Sequence, residues 1–272
     1  MSEHRSTDTV GSPPSQEDAE DAAVGCRALT RKFGGFVAVD RVDIAVPAGE
    51  LRAIIGPNGA GKTTLFNLLT NALEPTNGSI YFRGQDVTAV PQYERPHLGM
   101  VRSFQSNQLF TRQTVLENVR IVAQTADQGS TALDFFRRGR GVALDRAHEV
   151  LDLMDLDHVA EEVAENLSHG DQRRLGIAMT LATDSEVLLL DEPTSGMGSE
   201  ETQETAELIE TMQEDLGLTL LLIEHDMDIV LSMSDRITVL HGGSVLATGT
   251  ADEIQADDSV QEAYLGGMQD EI

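Results

Sequence analysis

Leu51-Arg52-Ala53-Ile54-Ile55-Gly56-Pro57-Asn58-Gly59-Ala60-Gly61-Lys62-Thr63-Thr64-Leu65-Phe66-Asn67-Leu68-Leu69 is the stretch that decides the fold. It opens as a short apolar run of strand type and closes with apolar spacing suited to a helix. Between them, Gly56 to Thr63 meets the G-x-x-x-x-G-K-[ST] phosphate-binding pattern in its required strand-loop-helix setting. Glycines let a backbone wrap a triphosphate with its N–H groups inward, and the helix starting near Lys62 adds its positive end. Lys62 is expected to reach the β- and γ-phosphates of ATP, and the Thr63 hydroxyl to ligate Mg²⁺. The loop Gly56, Pro57, Asn58, Gly59, Ala60, Gly61, Lys62, Thr63 and Thr64 is therefore a candidate nucleotide site, and the fold class is α/β, a P-loop NTPase.

A chain of 272 residues can bury a sizeable core as one domain with an inserted lobe or as two small ones. No apolar run approaches the roughly 20 residues that span a bilayer, and no signal-peptide core follows Met1-Ser2-Glu3-His4-Arg5, so a cytosolic location is expected. The single cysteine, Cys26, cannot form an internal disulfide, which suits a reducing compartment. The 46 acidic residues against 19 basic ones give a net charge of −27, which argues against nucleic-acid binding, where a basic surface is needed. Only Lys32 and Lys62 are lysines. Such a surface resembles proteins adapted to high internal salt, where screening relieves self-repulsion; an ordinary acidic cytosolic protein is the alternative.

Residues 1–24 hold few large apolar side chains and are expected to form a disordered acidic tail, with a shorter tail over 268–272. Phe36–Val39, Val42–Val46, Ile80–Phe82 and Val187–Leu190 read as strands. Residues 112–166 carry helical spacing, as in Ala147, Val150, Leu151, Met154 and Leu156, interrupted over Asp127–Gly141. The expected organisation is a core of residues 25–111 and 167–267, a mixed sheet with an antiparallel part, and a helical insert over 112–166.

Val187-Leu188-Leu189-Leu190-Asp191-Glu192 is an apolar strand ending in two acids, and a strand buried in a parallel sheet delivers its terminal side chains to the ligand crevice. Asp191 is expected to hold Mg²⁺ and Glu192 to polarise the water that attacks the γ-phosphate. Taken alone, two acids after a strand are usually a solvated turn; beside a P-loop they read as functional.

With these motifs in place, the sequence from Cys26 to Gly267 resembles the ATP-binding cassette (ABC) family. Leu167-Ser168-His169-Gly170-Asp171 is similar to the family's Leu-Ser-Gly-Gly-Gln signature, ahead of a helix expected over Gln172–Thr183. The resemblance implies that Ser168, Gly170 and Asp171 meet ATP bound to a second ATPase subunit. It implies that Gln105, in Arg102-Ser103-Phe104-Gln105, senses Mg²⁺ and the nucleotide. It places His225 as the switch histidine on the γ-phosphate, and Phe33 as the aromatic that stacks on adenine. Glu192, His225 and Lys62 are the implied catalytic set; Thr63, Gln105 and Asp191 are the implied metal set.

Three residues depart from the pattern: His169 for the first signature glycine, Asp171 for the glutamine, and Gly198 where the D-loop, Ser195-Gly196-Met197-Gly198, usually has aspartate. Phe33–Asp40, Gly99–Gln105, Thr114–Val119 and the ending Ala263-Tyr264-Leu265-Gly266-Gly267 resemble the ATPase subunits of branched-chain amino acid importers. The resemblance implies transmembrane permease partners, a homo- or heterodimer of ATPase subunits, an extracytoplasmic solute-binding protein acting indirectly, and a peripheral place on the cytoplasmic face of the membrane. Leu109 and Phe110 are candidates for the permease contact. The Ser-His-Gly signature also resembles urea importer ATPases. A soluble ABC ATPase without a membrane partner is a further alternative, as is a regulatory ATP-binding protein.

Overall fold

A computed structural model describes residues 14–103, 109–126 and 132–267. In chain order these form α1 (Gln16–Asp21), β1 (Val24–Phe33), β2 (Phe36–Val46), β3 (Leu51–Ile55), α2 (Lys62–Leu69), β4 (Asn77–Phe82), β5 (Gln85–Asp86), α3 (Arg95–Leu98) and β6 (Met100–Arg102). There follow α4 (Val115–Ala126), α5 (Ala132–Leu153), α6 (His169–Leu181), β7 (Val187–Asp191), α7 (Ser199–Leu216), β8 (Thr219–Ile223), α8 (Met227–Met233), β9 (Arg236–His241), β10 (Ser244–Gly249), α9 (Ala251–Ala256) and α10 (Asp258–Gly267). The chain packs as two units, residues 1–89 with 225–272, and residues 90–224.

In the first unit, β1, β2, β4 and β5 form an antiparallel sheet in the order β2-β1-β4-β5. Beside it β3 pairs in parallel with β9, Ile55 opposite Val239, and β9 pairs antiparallel with β10. All of β3 is buried, so it reads as a continuous rather than an alternating apolar run. One core cluster joins Ala53 and Ile55 to Val230, Ile237, Val239, Ala247, Ile254 and Val260, so α8, α9 and α10 cover this face. The polar exception, Arg52, is 4% exposed and satisfied, donating to Glu50 Oε1 at 2.5 Å, Thr238 Oγ1 at 3.2 Å and Ala45 O at 3.2 Å. Cys26 is buried, which pushes its thiol up to about 12 and leaves it chemically inert.

Two expectations change here. The strands expected at Phe36–Val39 and Val42–Val46 are one strand, β2, with an irregularity at Arg41, where φ is +49° and the N–H turns to Thr30 Oγ1 at 3.1 Å. Of the disordered tail expected over residues 1–24, residues 16–21 instead form α1; residues 1–13, like the short tail expected over 268–272, lie outside the described residues. Ser15 and Asp18 form a reciprocal cap, Asp18 N–H to Ser15 Oγ at 3.1 Å and Ser15 N–H to Asp18 Oδ2 at 2.6 Å. Ala19 is fully buried, and a Cβ on Gly25 would lie 2.4 Å from Ala19 O. Counting large apolar side chains misses this contact, because it is made by an alanine lying directly on a glycine. Gly25→Ala is therefore expected to lift α1 from β1 and cost about 1–3 kcal/mol, as overpacking does. Urea unfolding with hydrogen exchange over residues 15–23 checks it; unchanged protection there would contradict the packing.

In the second unit β6, β7 and β8 are parallel, Met100 opposite Val187 and Val187 opposite Thr219. Asn118, fully buried on α4, holds the chain ahead of it by accepting from Phe110 N–H at 2.8 Å and donating to Phe110 O at 3.1 Å and Thr114 O at 2.9 Å. The break expected over 127–141 gives way, from Ala132 onward, to α5. A glycine inside a helix costs only about 1 kcal/mol against alanine, and α5 buries Ala143, Ala147, Val150 and Leu151 on one face. The helix expected over Gln172–Thr183 starts earlier, at His169, because Ser168 caps it. Of the two candidate contact residues, Leu109 is buried and Phe110 is 43% exposed.

Candidate nucleotide site

The first unit carries the phosphate loop. It leaves β3 at Gly56 and enters α2 at Lys62, and two of its glycines are pressed against neighbouring backbone. A Cβ on Gly56, where φ is +152°, would stand 2.2 Å from Leu240 O; one on Gly61, where φ is +102°, would stand 2.5 Å from Ala38 O. Only glycine fits either place. The loop is tied from outside, Gly243 N–H donating to Ala60 O at 3.1 Å and Asp40 N–H to Gly243 O at 2.8 Å.

Gly61 caps α2 without a side-chain hydrogen bond, and the helix offers an anion its positive end. Lys62 is 7% exposed, with Nζ donating to Gly56 O at 2.6 Å and Pro57 O at 3.2 Å. A desolvated ammonium inside a loop of backbone dipoles is a strong point attraction for phosphate. Asn58, Gly59 and Thr63 are exposed, Pro57 and Thr64 half-buried and Ala60 buried.

Phe33 ends β1 opposite Phe36 and is 46% exposed, with the Arg31 guanidinium 4.7 Å over its ring. His225 is exposed at the start of the loop into α8, which Asp226 caps by accepting from Asp228 N–H at 3.0 Å and Ile229 N–H at 3.4 Å.

The second unit carries the carboxylates and the signature segment. Asp191 ends β7 with its side chain 7% exposed and bonded to the Arg102 guanidinium. Glu192 follows at φ +50°, a left-handed conformation rare for a residue with a side chain. Its N–H donates to Ile223 O at 2.9 Å, and its carbonyl accepts from Arg173 on α6. Glu224, 4% exposed, accepts through Oε1 from Thr194 N–H at 2.8 Å and Thr194 Oγ1 at 2.5 Å.

On α6, Ser168 accepts from Asp171 N–H at 3.1 Å and donates to Asp171 Oδ2 at 2.8 Å. The aspartate that replaces glutamine thus completes the cap of its own helix. A Cβ on Gly170 would meet the Glu201 carboxylate at 3.2–3.3 Å, and Glu201 Oε2 also accepts from Gly198 N–H at 3.3 Å. Gln105 lies outside the described residues.

The phosphate-loop residues thus gather in one unit, and Asp191, Glu192, Ser168, Gly170 and Asp171 in the other. Sequence reasoning missed two residues that touch them, Arg102 on Asp191 and Arg173 on Glu192, and a third, Glu224, that holds Thr194 two residues past Glu192. A signal existed for Glu224, since Leu220-Leu221-Leu222-Ile223-Glu224 repeats the apolar strand ending in an acid that singled out Asp191.

Comparison with known proteins gives a consistent answer. The profile described as "ABC transporter" matches residues 39–195, and that described as "Branched-chain amino acid ATP-binding cassette transporter" matches residues 244–269. The chain is 43% identical over 244 residues to the high-affinity branched-chain amino acid transport ATP-binding protein LivG of Escherichia coli (strain K12), covering 88% of this chain and 95% of that protein. It is 39% identical to BraF of Pseudomonas aeruginosa, with the same name otherwise and the same coverage. Among solved structures, the ADP conformation of MJ1267, an ATP-binding cassette of an ABC transporter, superposes with a TM-score of 0.78 at 30% identity, over 90% of this chain and 98% of that one. A dimeric post-hydrolysis state of the ATP-binding cassette MJ0796, bound to ADP and Pi, gives 0.71 at 26% identity, over 84% of this chain and 98% of that one.

Proposed function

The chain belongs to the ABC transporter family, and from that membership we propose that it is the ATP-hydrolysing subunit of an importer for branched-chain amino acids, driving transmembrane permease subunits by nucleotide-dependent dimer closure. The observation that supports the ATPase part best is the phosphate loop, with its obligatory glycines, uncapped helix start and buried Lys62. The choice of solute rests on the match over residues 244–269 and the names of LivG and BraF. Among the described residues no helix is long and apolar enough to cross a membrane, which suits a subunit that works on a separate permease at the cytoplasmic face.

In this reading the loop amides and Lys62 hold the β- and γ-phosphates, and Phe33 offers the face of its ring away from Arg31 to adenine. Thr63, Asp191 and Gln105 would be the oxygen donors for Mg²⁺, which would neutralise charge on the phosphate oxygens. Arg102 fixes the Asp191 side chain. Glu192 takes the proton of the attacking water, while His225 donates to the γ-phosphate. Ser168, Gly170 and the α6 N-terminus face the nucleotide of a partner subunit, where the Asp171 carboxylate adds repulsion that the usual glutamine lacks. Closure of the pair around two nucleotides, and reopening after hydrolysis, is a ligand-driven population shift that the permease reads. The −27 charge supports work at high salt.

The test is ATP hydrolysis by the purified chain with Mg²⁺. Potassium chloride is raised from about 0.1 M, where the Debye length is about 10 Å, to about 1 M, where it is about 3 Å. Turnover that rises with salt supports both the ATPase and the high-salt reading; turnover that falls with salt removes the latter. Leucine-stimulated hydrolysis in vesicles holding the permease and solute-binding protein tests the solute, and stimulation by urea in place of leucine would overturn that choice.

A further inference from the structure

We propose that Glu224 is a positioning residue for hydrolysis: through Thr194, its buried carboxylate holds the turn that aims Glu192. The proposal rests on the reading of Glu192 as the group that polarises the attacking water. Glu192 sits at φ +50°, and such a conformation on a residue with a side chain persists only where the surroundings over-determine it. The surroundings do so here at three points. The Glu192 N–H is held by Ile223 O at 2.9 Å, its carbonyl is held by Arg173, and two residues on, the Thr194 N–H and hydroxyl both donate to Glu224 Oε1, at 2.8 and 2.5 Å.

The turn then continues through Ser195 N–H to Glu192 O at 3.2 Å and Met197 N–H to Thr194 O at 3.2 Å, so the anchor at Thr194 also sets the segment leading to Gly198. Glu224 is 4% exposed and Thr194 6%. A carboxylate is expensive to bury unless it is well bonded, so its use here marks a place that needs a strong acceptor for two donors at once. Glu224 also directly precedes His225 in the sequence.

Glu224→Ala, Glu224→Gln and Thr194→Val are the variants, read by kcat and KM for ATP and by hydrogen exchange. Misplacing a reacting group by about 1 Å costs on the order of 10²-fold in rate. Glu224→Ala is expected to lower kcat by about 10–100-fold on that scale, with KM unchanged and faster exchange confined to residues 192–198. Glu224→Gln keeps an acceptor oxygen and is expected to recover most of kcat. Thr194→Val keeps the N–H bond and should fall between them.

Loss of kcat together with a raised KM and protection from exchange lost throughout the second unit would show a merely structural role, as would a glutamine variant no better than alanine. An active wild type beside an equally active Glu224→Ala overturns the positioning role alone. A wild type that binds ATP and never hydrolyses it overturns the ATPase reading, and this role with it.

Discussion

Glu192→Gln is expected to lower kcat for ATP hydrolysis by about 10²–10⁴-fold, the range that a positioned general base contributes, while ATP binding persists. Glutamine is nearly isosteric, and the bonds that fix this residue run through its backbone N–H and C=O, to Ile223 O and from Arg173. The turn at φ +50° should therefore survive, and only the ability to accept a proton is lost. The variant should also accumulate an ATP-held dimer, because in the proposed cycle closure precedes hydrolysis and only hydrolysis reopens the pair. Steady-state turnover beside size-exclusion chromatography with ATP checks both halves. A loss of less than about tenfold would place the base elsewhere, and His225→Ala would then be the deciding variant. A large loss of turnover without a trapped dimer would point instead to the signature segment, where in the proposed dimer Asp171 would set a carboxylate against the partner's triphosphate. Asp171→Gln should then restore the dimer.

How far the sequence reached depended on whether a feature is local. The strand Leu51–Ile55 and the helix from Lys62 were legible because their periodicity and the glycine pattern lie within one short segment, and β3 and α2 occupy those places. Pairings between distant residues were not legible. Arg102 meets Asp191 across β6 and β7, and Glu224 meets Thr194 across the ends of β8 and β7; each carries a polar residue whose partner is distant in sequence. The start of α1 was missed for a different reason. Composition ranks a segment by its large apolar side chains, but Ala19 gains burial from the glycine opposite it, so the stabilising contact comes from close approach.

Lys62→Met is the second large effect: ATP affinity should fall by about 10²–10³-fold, on the basis that each hydrogen bond to a charged group contributes about 1.5–3 kcal/mol and Lys62 reaches two phosphates in the proposed site. Stability should change little, since methionine fills a similar volume without a charge to desolvate. Lys62→Arg is the sharper variant because it keeps the charge. Of the 19 basic residues only Lys32 and Lys62 are lysines, so this chain otherwise uses arginine, and a lysine retained in the loop reflects a need for a compact ammonium. A planar guanidinium is broader than the ammonium it would replace, which is 7% exposed and bonded to two backbone carbonyls. Isothermal titration with a non-hydrolysable ATP analogue separates the cases. If arginine binds nearly as tightly as lysine, charge alone is sufficient. If arginine is as weak as methionine, the fit of the ammonium to the loop controls binding, and raising the salt, which screens charge but leaves shape untouched, should leave the gap between arginine and lysine in place.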